Sequence, residues 1–157
     1  MRIAVAGDHN GFALKGRLVT WLTDAGHTVD DLGSHTPEEV DYPELCVQLC
    51  TQVTDGAADR GIVLGGSGLG ETIVCNKMQG IRAGLCPDLW FARISRGNND
   101  SNVLVLPAKV LGGKDAEEAE EAEEAENIVE TWLTTPFKGG VHRRRIARIA
   151  ALERRQS

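Results

Sequence analysis

Short apolar runs alternate with segments of helical spacing along most of this chain, and that alternation limits the fold more than any other feature. Arg2 to Gly7, Thr28 to Leu32, Arg60 to Leu64, Ile81 to Leu85 and Val103 to Leu106 read as strands. Between them, Phe12 to Ala25, Pro43 to Val53, Gly70 to Met78 and Pro87 to Ser95 read as helices. The first of these carries Leu14, Leu18, Val19, Trp21 and Leu22 on one stripe and closes at Gly26. Strands that take turns with helices in this way predict a parallel sheet covered on both faces. Beyond the last strand a helix is expected over Asn127 to Leu133 and is broken by Pro136-Phe137-Lys138-Gly139-Gly140. Val141 to Arg155 forms a final helix with Ile146, Ile149 and Leu152 on one side.

The expected architecture is thus a single α/β domain over residues 1–157, a flavodoxin-like (Rossmann-type) five-stranded parallel sheet. In such sheets ligands bind beyond the carboxyl ends of the strands, where strand order reverses. If the first and third strands flank that point, Asp8-His9-Asn10-Gly11 and the loop after Leu64 face each other. No apolar run reaches the ~20 residues of a membrane span, and the N-terminus reads as a strand, so a cytoplasmic location is expected.

The formal charge of −6 is concentrated. Residues 115–126, DAEEAEEAEEAE, hold eight acids and no base, which leaves the rest of the chain at +2. This run is expected to be a solvated helix face rather than a binding site. The basic feature is Arg143-Arg144-Arg145 with Arg148. Without interleaved aromatics it argues against nucleic acid and for a phosphate held by one or two arginines. Cys46, Cys50, Cys75 and Cys86 form no C-x-x-C pair, so no metal site is expected.

The stretch with the most chemistry is Gly65-Gly66-Ser67-Gly68-Leu69-Gly70-Glu71, which leaves a strand and opens a helix. Four glycines in six residues let the backbone turn tightly and approach a ligand. Helix-start amides favour an anionic oxygen. A carboxylate at Glu71 would repel a bound phosphate, so the loop suits proton transfer and the holding of an oxyanion. It lacks the lysine of an NTPase phosphate loop. A glycine turn used only for close packing, with Glu71 as a dipole partner, is the plainer alternative.

Other candidates fall on neighbouring loops. Asp8 reads either as a cap for the first helix or as a polar group of the crevice, and His9 as a surface residue or a ligand contact. Tyr42, before Pro43, is a turn residue or a contact. The string Arg96-Gly97-Asn98-Asn99-Asp100 is expected as a loop at the ligand edge of the sheet, where the Asn99 amide could donate to an oxyanion.

Taken together, these residues resemble the ribose-5-phosphate isomerase B family, which includes the galactose-6-phosphate isomerase subunits. The resemblance runs over nearly the whole chain. It is carried by Gly7-Asp8-His9-Asn10-Gly11 with Lys15, Asp41-Tyr42-Pro43, Gly65 to Glu71, Asn76-Lys77 with Gly80-Ile81-Arg82-Ala83, Asn99-Asp100, and Gly139-Gly140 followed by His142 and Arg145. It implies an aldose–ketose isomerase of sugar phosphates that works without a metal or other cofactor. It also implies a homodimer, or a tetramer, whose C-terminal helix reaches the partner. Family members take their base either from a cysteine early in the glycine loop or from a glutamate at its end. With Gly65 and Gly66 at the early positions, this chain resembles the glutamate branch.

The resemblance gives Glu71 the carbon-bound proton in a cis-enediolate mechanism and Ser67 a part in positioning the substrate. Asp8 would shuttle the hydroxyl proton. Asn99 and the amides near Gly68 and Gly70 would hold the oxyanion. Substrate contacts are implied for His9, Tyr42, Gly66, Asn98, Lys109, His142 and Arg145. A carboxylate at a helix start is expected to have a lowered pKa, which closure or desolvation must offset.

The chain departs from the family pattern at three positions. Asn98 stands where many members carry a ring-opening histidine, Val141 replaces an expected arginine, and Lys109 stands at another. An amide cannot donate a proton at neutral pH, so a substrate with no ring to open is the alternative to ribose 5-phosphate. Erythrose 4-phosphate and erythrulose 4-phosphate meet that condition, because phosphate esterifies the hydroxyl that furanose closure needs. Two readings of other classes are a non-catalytic phosphosugar-binding module and a flavin-binding electron carrier. The first would not need Glu71 as a base, and the second would colour with FMN.

Overall fold

Residues Arg2–Gly7 form β1, and from Ile3 onward every one of them is buried. In the computed structural model, which describes residues 1–111 and 119–157, the chain continues through α1 (Phe12–Asp24), β2 (Thr28–Asp31), α2 (Tyr42–Thr54), β3 (Arg60–Gly65) and α3 (Leu69–Lys77). It then forms β4 (Ala83–Leu85), α4 (Leu89–Asn99), β5 (Val103–Pro107), α5 (Ala108–Leu111), α6 (Ala119–Thr134) and α7 (Val141–Gln156). All strand pairs are parallel, as the alternation predicts. Among the described residues no helix is long and apolar enough to cross a membrane.

Strand periodicity divides the core in two, since successive side chains leave opposite faces of a sheet. Ile3, Val5, Ile62, Leu64, Leu104 and Leu106 face α1 and α6, where they meet Leu14, Leu18, Leu22, Ile128 and Trp132. Ala4, Ala6, Val63, Val103 and Val105 face α2 and α3, where they meet Leu49, Cys50 and Cys75. Gly61 has no Cβ because the Leu49 side chain occupies that space. The contact of Cys75 with Cys46, together with burial, pushes its thiol up to about 12, and its contact with Cys50 offsets part of that rise. It stays protonated beneath the site.

Strand order is β2-β1-β3-β5-β4. The first and third strands are neighbours, as expected, but the last two are exchanged relative to the flavodoxin arrangement. Burial explains the exchange. All five residues of β5 are buried, as a central parallel strand requires, whereas the three residues of β4 are only half-buried and suit an edge. Asn76 then blunts that edge, its side-chain Nδ2 donating to the Ala83 carbonyl at 3.0 Å and its Oδ1 accepting the Ala83 N–H at 2.8 Å.

One further expectation needs correction. The string from Arg96 to Asn99 is helix, not loop: α4 starts at the Asp88 cap, whose Oδ1 accepts the Phe91 N–H at 2.9 Å, and runs to Asn99. Tertiary contacts override the weak helix preference of Gly97, Asn98 and Asn99. Arg82 donates to the carbonyls of Asn99 and Asp100 at 2.9 and 2.8 Å, and Arg96 pairs with Asp100 at 3.0 Å. The short α5 was not anticipated. Of the acidic run, residues 119–126 lie in α6, with Ala122 and Ala125 buried; residues 115–118 lie outside the described residues.

Candidate active site

The site begins where β1 and β3 end side by side. Gly7 pairs with Leu64, and Gly65 pairs with Pro107 of β5, so three carboxyl ends finish together at the strand-order reversal. Asp8 is buried there, and its N–H donates to the Leu64 carbonyl at 3.3 Å. Its Oδ1 accepts the Asn10 N–H at 2.9 Å and the Gly11 N–H at 3.3 Å. Asp8 therefore caps the turn before α1 and not α1 itself, which starts from Gly11 without a side-chain cap. The turn lies flat on β3: a Cβ at Gly11 would stand 2.7 Å from Leu64 Cβ.

The glycine loop then crosses the ends of β3 and β5. Gly68 takes φ +75°, a backbone conformation that a side chain would strain, and its carbonyl accepts the Thr72 N–H at 3.0 Å to start α3. Ser67 is exposed, and its Oγ accepts the Leu69 N–H at 3.2 Å, so its hydroxyl proton remains free to donate. First-turn amides have no intrahelical partner.

Glu71 folds back from that first turn to lie against Gly65, where a Cβ would collide with its carboxylate. It is 4% exposed. Burial pushes its pKa up; its own backbone N–H offsets part of the rise, and the charge of Asp8 adds to it. The sequence-based expectation of a lowered value is thus reversed. The helix-start amide acts in the expected direction, but desolvation outweighs it.

Around this carboxylate stand several of the other expected residues. The Tyr42 hydroxyl abuts Gly70, whose Cβ it would displace. His9 Nδ1 accepts the Val40 N–H at 3.4 Å. Lys109 joins the loop through its N–H, which donates to the Gly66 carbonyl at 3.0 Å.

Asn98, Asn99, His142 and Arg145 are not brought to this crevice. Helix α4 runs back across the sheet, so Asn99 lies at the opposite, amino-terminal edge. There its carbonyl accepts from Arg82, just before β4. Asn98 Oδ1 accepts from Lys138 Nζ at 2.9 Å on the same side. Helix α7 follows Lys138, and its His142 N–H donates to the Gly139 carbonyl at 3.1 Å. It packs on α4 and on the α3–β4 turn, where Glu153 Oε1 accepts the Gly80 N–H at 3.0 Å. None of its residues is buried, and Ile149 and Leu152 are exposed. One chain thus holds two groups of candidate residues on opposite edges of its sheet.

Two residues of the crevice were quoted in motifs but given no part. Asn10 packs its amide on Gly66, where a Cβ would stand 3.3 Å from Nδ2, so it couples the two loops. Lys15 is buried and pairs with Asp31 at 2.6 Å, which neutralises the floor of the first loop. Their signal in the sequence was the D-H-N-G turn and a lysine on the apolar face of a helix.

A buried carboxylate of raised pKa beside the amides of a helix start can accept a proton from carbon and stabilise the oxyanion that results. The family model described as Ribose/Galactose Isomerase matches residues 3–149. Ribose-5-phosphate isomerase B of Escherichia coli K12 is 38% identical over 156 residues, 99% of each chain. D-erythrulose-4-phosphate isomerase of Pectobacterium atrosepticum is 33% identical over 157 residues, 99% of this chain and 97% of its own. The structure of Clostridium thermocellum ribose-5-phosphate isomerase B superposes with a TM-score of 0.92 at 39% identity, covering 100% of both chains.

Proposed function

The chain belongs to the ribose/galactose isomerase family, and we propose that Glu71 is the base with which it interconverts a phosphorylated aldose and its ketose. It is an isomerase of sugar phosphates. Within that class the proposed pair is ribose 5-phosphate and ribulose 5-phosphate. The observation that carries the role of Glu71 is its burial against Gly65, next to the glycine-loop amides.

Each proton then has a place. Glu71 takes the proton from carbon 2 of the aldose, and the electron pair moves into a cis-enediolate. The Gly70 amide and its neighbours hold the developing charge, with the Ser67 hydroxyl as a further donor. Asp8 passes the hydroxyl proton between the two oxygens, and Glu71 returns its proton to carbon 1. A raised pKa suits this cycle, because the same group must take and give a proton near neutrality.

The two-edge arrangement supports a homodimer. Asn98 and Asn99 can reach a substrate only at a second subunit's Glu71, and the exposed apolar side of α7 would be covered there. His142 and Arg145 would bring positive charge to the phosphate, together with Lys109. The four free thiols and a sugar-phosphate substrate fit a cytoplasmic enzyme.

A second reading is favoured by Asn98. With an amide where a ring-opening acid is expected, the substrate pair would be erythrulose 4-phosphate and erythrose 4-phosphate. Measuring kcat/KM for ribose 5-phosphate and erythrulose 4-phosphate side by side, with Glu71→Gln as the blank, tests both. Turnover of either sugar that vanishes in the variant supports the isomerase. Equal turnover by the variant would remove Glu71 from the chemistry.

A further inference from the structure

Lys138 stands in a segment that the sequence marks only as a helix breaker, yet three contacts fix it on α4. Its backbone N–H donates to the Gly97 carbonyl at 2.9 Å. Its stem crosses Gly97, where a Cβ would stand 3.2 Å from Lys138 Cε and 3.8 Å from Cδ. Its ammonium donates to Asn98 Oδ1 at 2.9 Å. Glycine is a poor helix residue, and here its missing side chain is the passage through which the lysine reaches Asn98.

An ammonium has donors and no acceptor, so it settles the orientation of the Asn98 amide. Oδ1 faces Lys138, and residue 98 can offer a substrate only its N–H donors. The same fixed cation would disfavour a second positive charge at this position, including the imidazolium of a histidine. A neutral donor can hold a carbonyl or hydroxyl oxygen of an open-chain sugar. It has no proton to deliver to a ring oxygen.

We propose that Lys138 is a positioning residue for substrate choice, holding Asn98 as a donor and so committing the enzyme to sugar phosphates that have no ring to open. The inference rests on the tetrose reading and on Asn98 entering a partner's site.

The test compares wild type, Lys138→Met, Lys138→Ala, Lys138→Arg, Asn98→His and the double variant Asn98→His/Lys138→Met. For each, kcat and KM are measured on erythrulose 4-phosphate and ribose 5-phosphate, and Tm reports folding. Lys138→Met is expected to lower the tetrose-to-pentose ratio of kcat/KM about tenfold or more, through kcat on the tetrose, with Lys138→Arg retaining most of it. Lys138→Ala carries the same expectation should the methionine variant not fold. Asn98→His is expected to gain about tenfold less pentose activity with Lys138 present than without it.

A ratio within about threefold of wild type in the Lys138 variants, or an equal loss on both sugars, overturns the role of Lys138 while leaving the tetrose reading in place. So does an Asn98→His variant that gains as much with the lysine as without it. Wild-type preference for the pentose overturns both.

Discussion

The carboxylate of Glu71 occupies the space that any side chain at position 65 would need. This single relationship bears on the two places in the loop from which the resemblance would draw a base. A cysteine at the start of the loop and a glutamate at its end would compete for one volume if the cysteine stood at position 65, so only one base fits there.

Gly65→Ala should therefore cost activity far more than stability. Its methyl group pushes the base off its position, and a displacement of an ångström is enough to lose about a hundredfold in rate. Overpacking should destabilise by about 1–3 kcal/mol. Steady-state kinetics and urea denaturation on the same preparation check the pair. Unchanged kcat would mean the carboxylate is not held where it acts.

The raised pKa of Glu71 sets the acid limb of the pH profile. The base must be ionised, so kcat/KM should fall as pH drops through a value above the ordinary 4.5 of a glutamate. Burial is the main cause of the rise, and the charge of Asp8 adds to it. The same shift has a stability consequence. Between 4.5 and the raised value the folded state binds more protons than the unfolded one, so the group's contribution to stability falls as pH rises through that window. Glu71→Gln should be inactive, and its Tm relative to wild type should be higher at neutral pH than at pH 4. A Tm difference that does not change with pH would contradict the burial argument.

Lys15 and Asp31 make an asymmetric pair, the lysine side chain 3% exposed and the aspartate 31%. Removing the aspartate strands a buried ammonium and also takes the acceptor from the Gly33 N–H. Asp31→Ala should cost about 2–4 kcal/mol. Lys15→Met keeps the buried stem and leaves a carboxylate that water can reach, so it should cost less, about 0–2 kcal/mol. Denaturant titrations of both variants test the order, and a larger loss for Lys15→Met would reverse the assignment of the buried partner.

Much of this was legible from periodicity, because strands and helices here differ plainly in apolar spacing. Arg2 to Gly7 and Phe12 to Ala25 needed nothing else, the helix ending one residue earlier, at Asp24. The strand exchange was not legible: periodicity marks Val103 to Leu106 as a strand, but its place in the order is chosen by the whole sheet. The extent of α4 was not legible, since Gly97-Asn98-Asn99 reads as loop and only the contacts of Arg82 and Arg96 make it helix. In the site, the glycine loop and Glu71 were visible as a motif. The direction of the Glu71 pKa was not, because local sequence shows the helix start and tertiary packing supplies the desolvation.

The opposite-edge placement of Glu71 and Asn99 leads to a prediction that no single-chain site would satisfy. If each site joins Glu71 of one subunit to Asn99 of the other, Glu71→Gln and Asn99→Ala homodimers are each crippled at both sites. A mixed dimer is different. One of its sites combines both lesions, and the other combines Glu71 from the Asn99→Ala subunit with Asn99 from the Glu71→Gln subunit, and is intact. Unfolding an equimolar mixture and refolding it gives mixed dimers as about half of the population, each with one working site. The mixture should recover about a quarter of wild-type activity, while each variant refolded alone recovers almost none. Size-exclusion chromatography checks that the refolded species are dimers. Activity no higher than the average of the two separate variants would mean that Asn99 does not serve the partner's Glu71, and the two groups of residues would then need separate explanations.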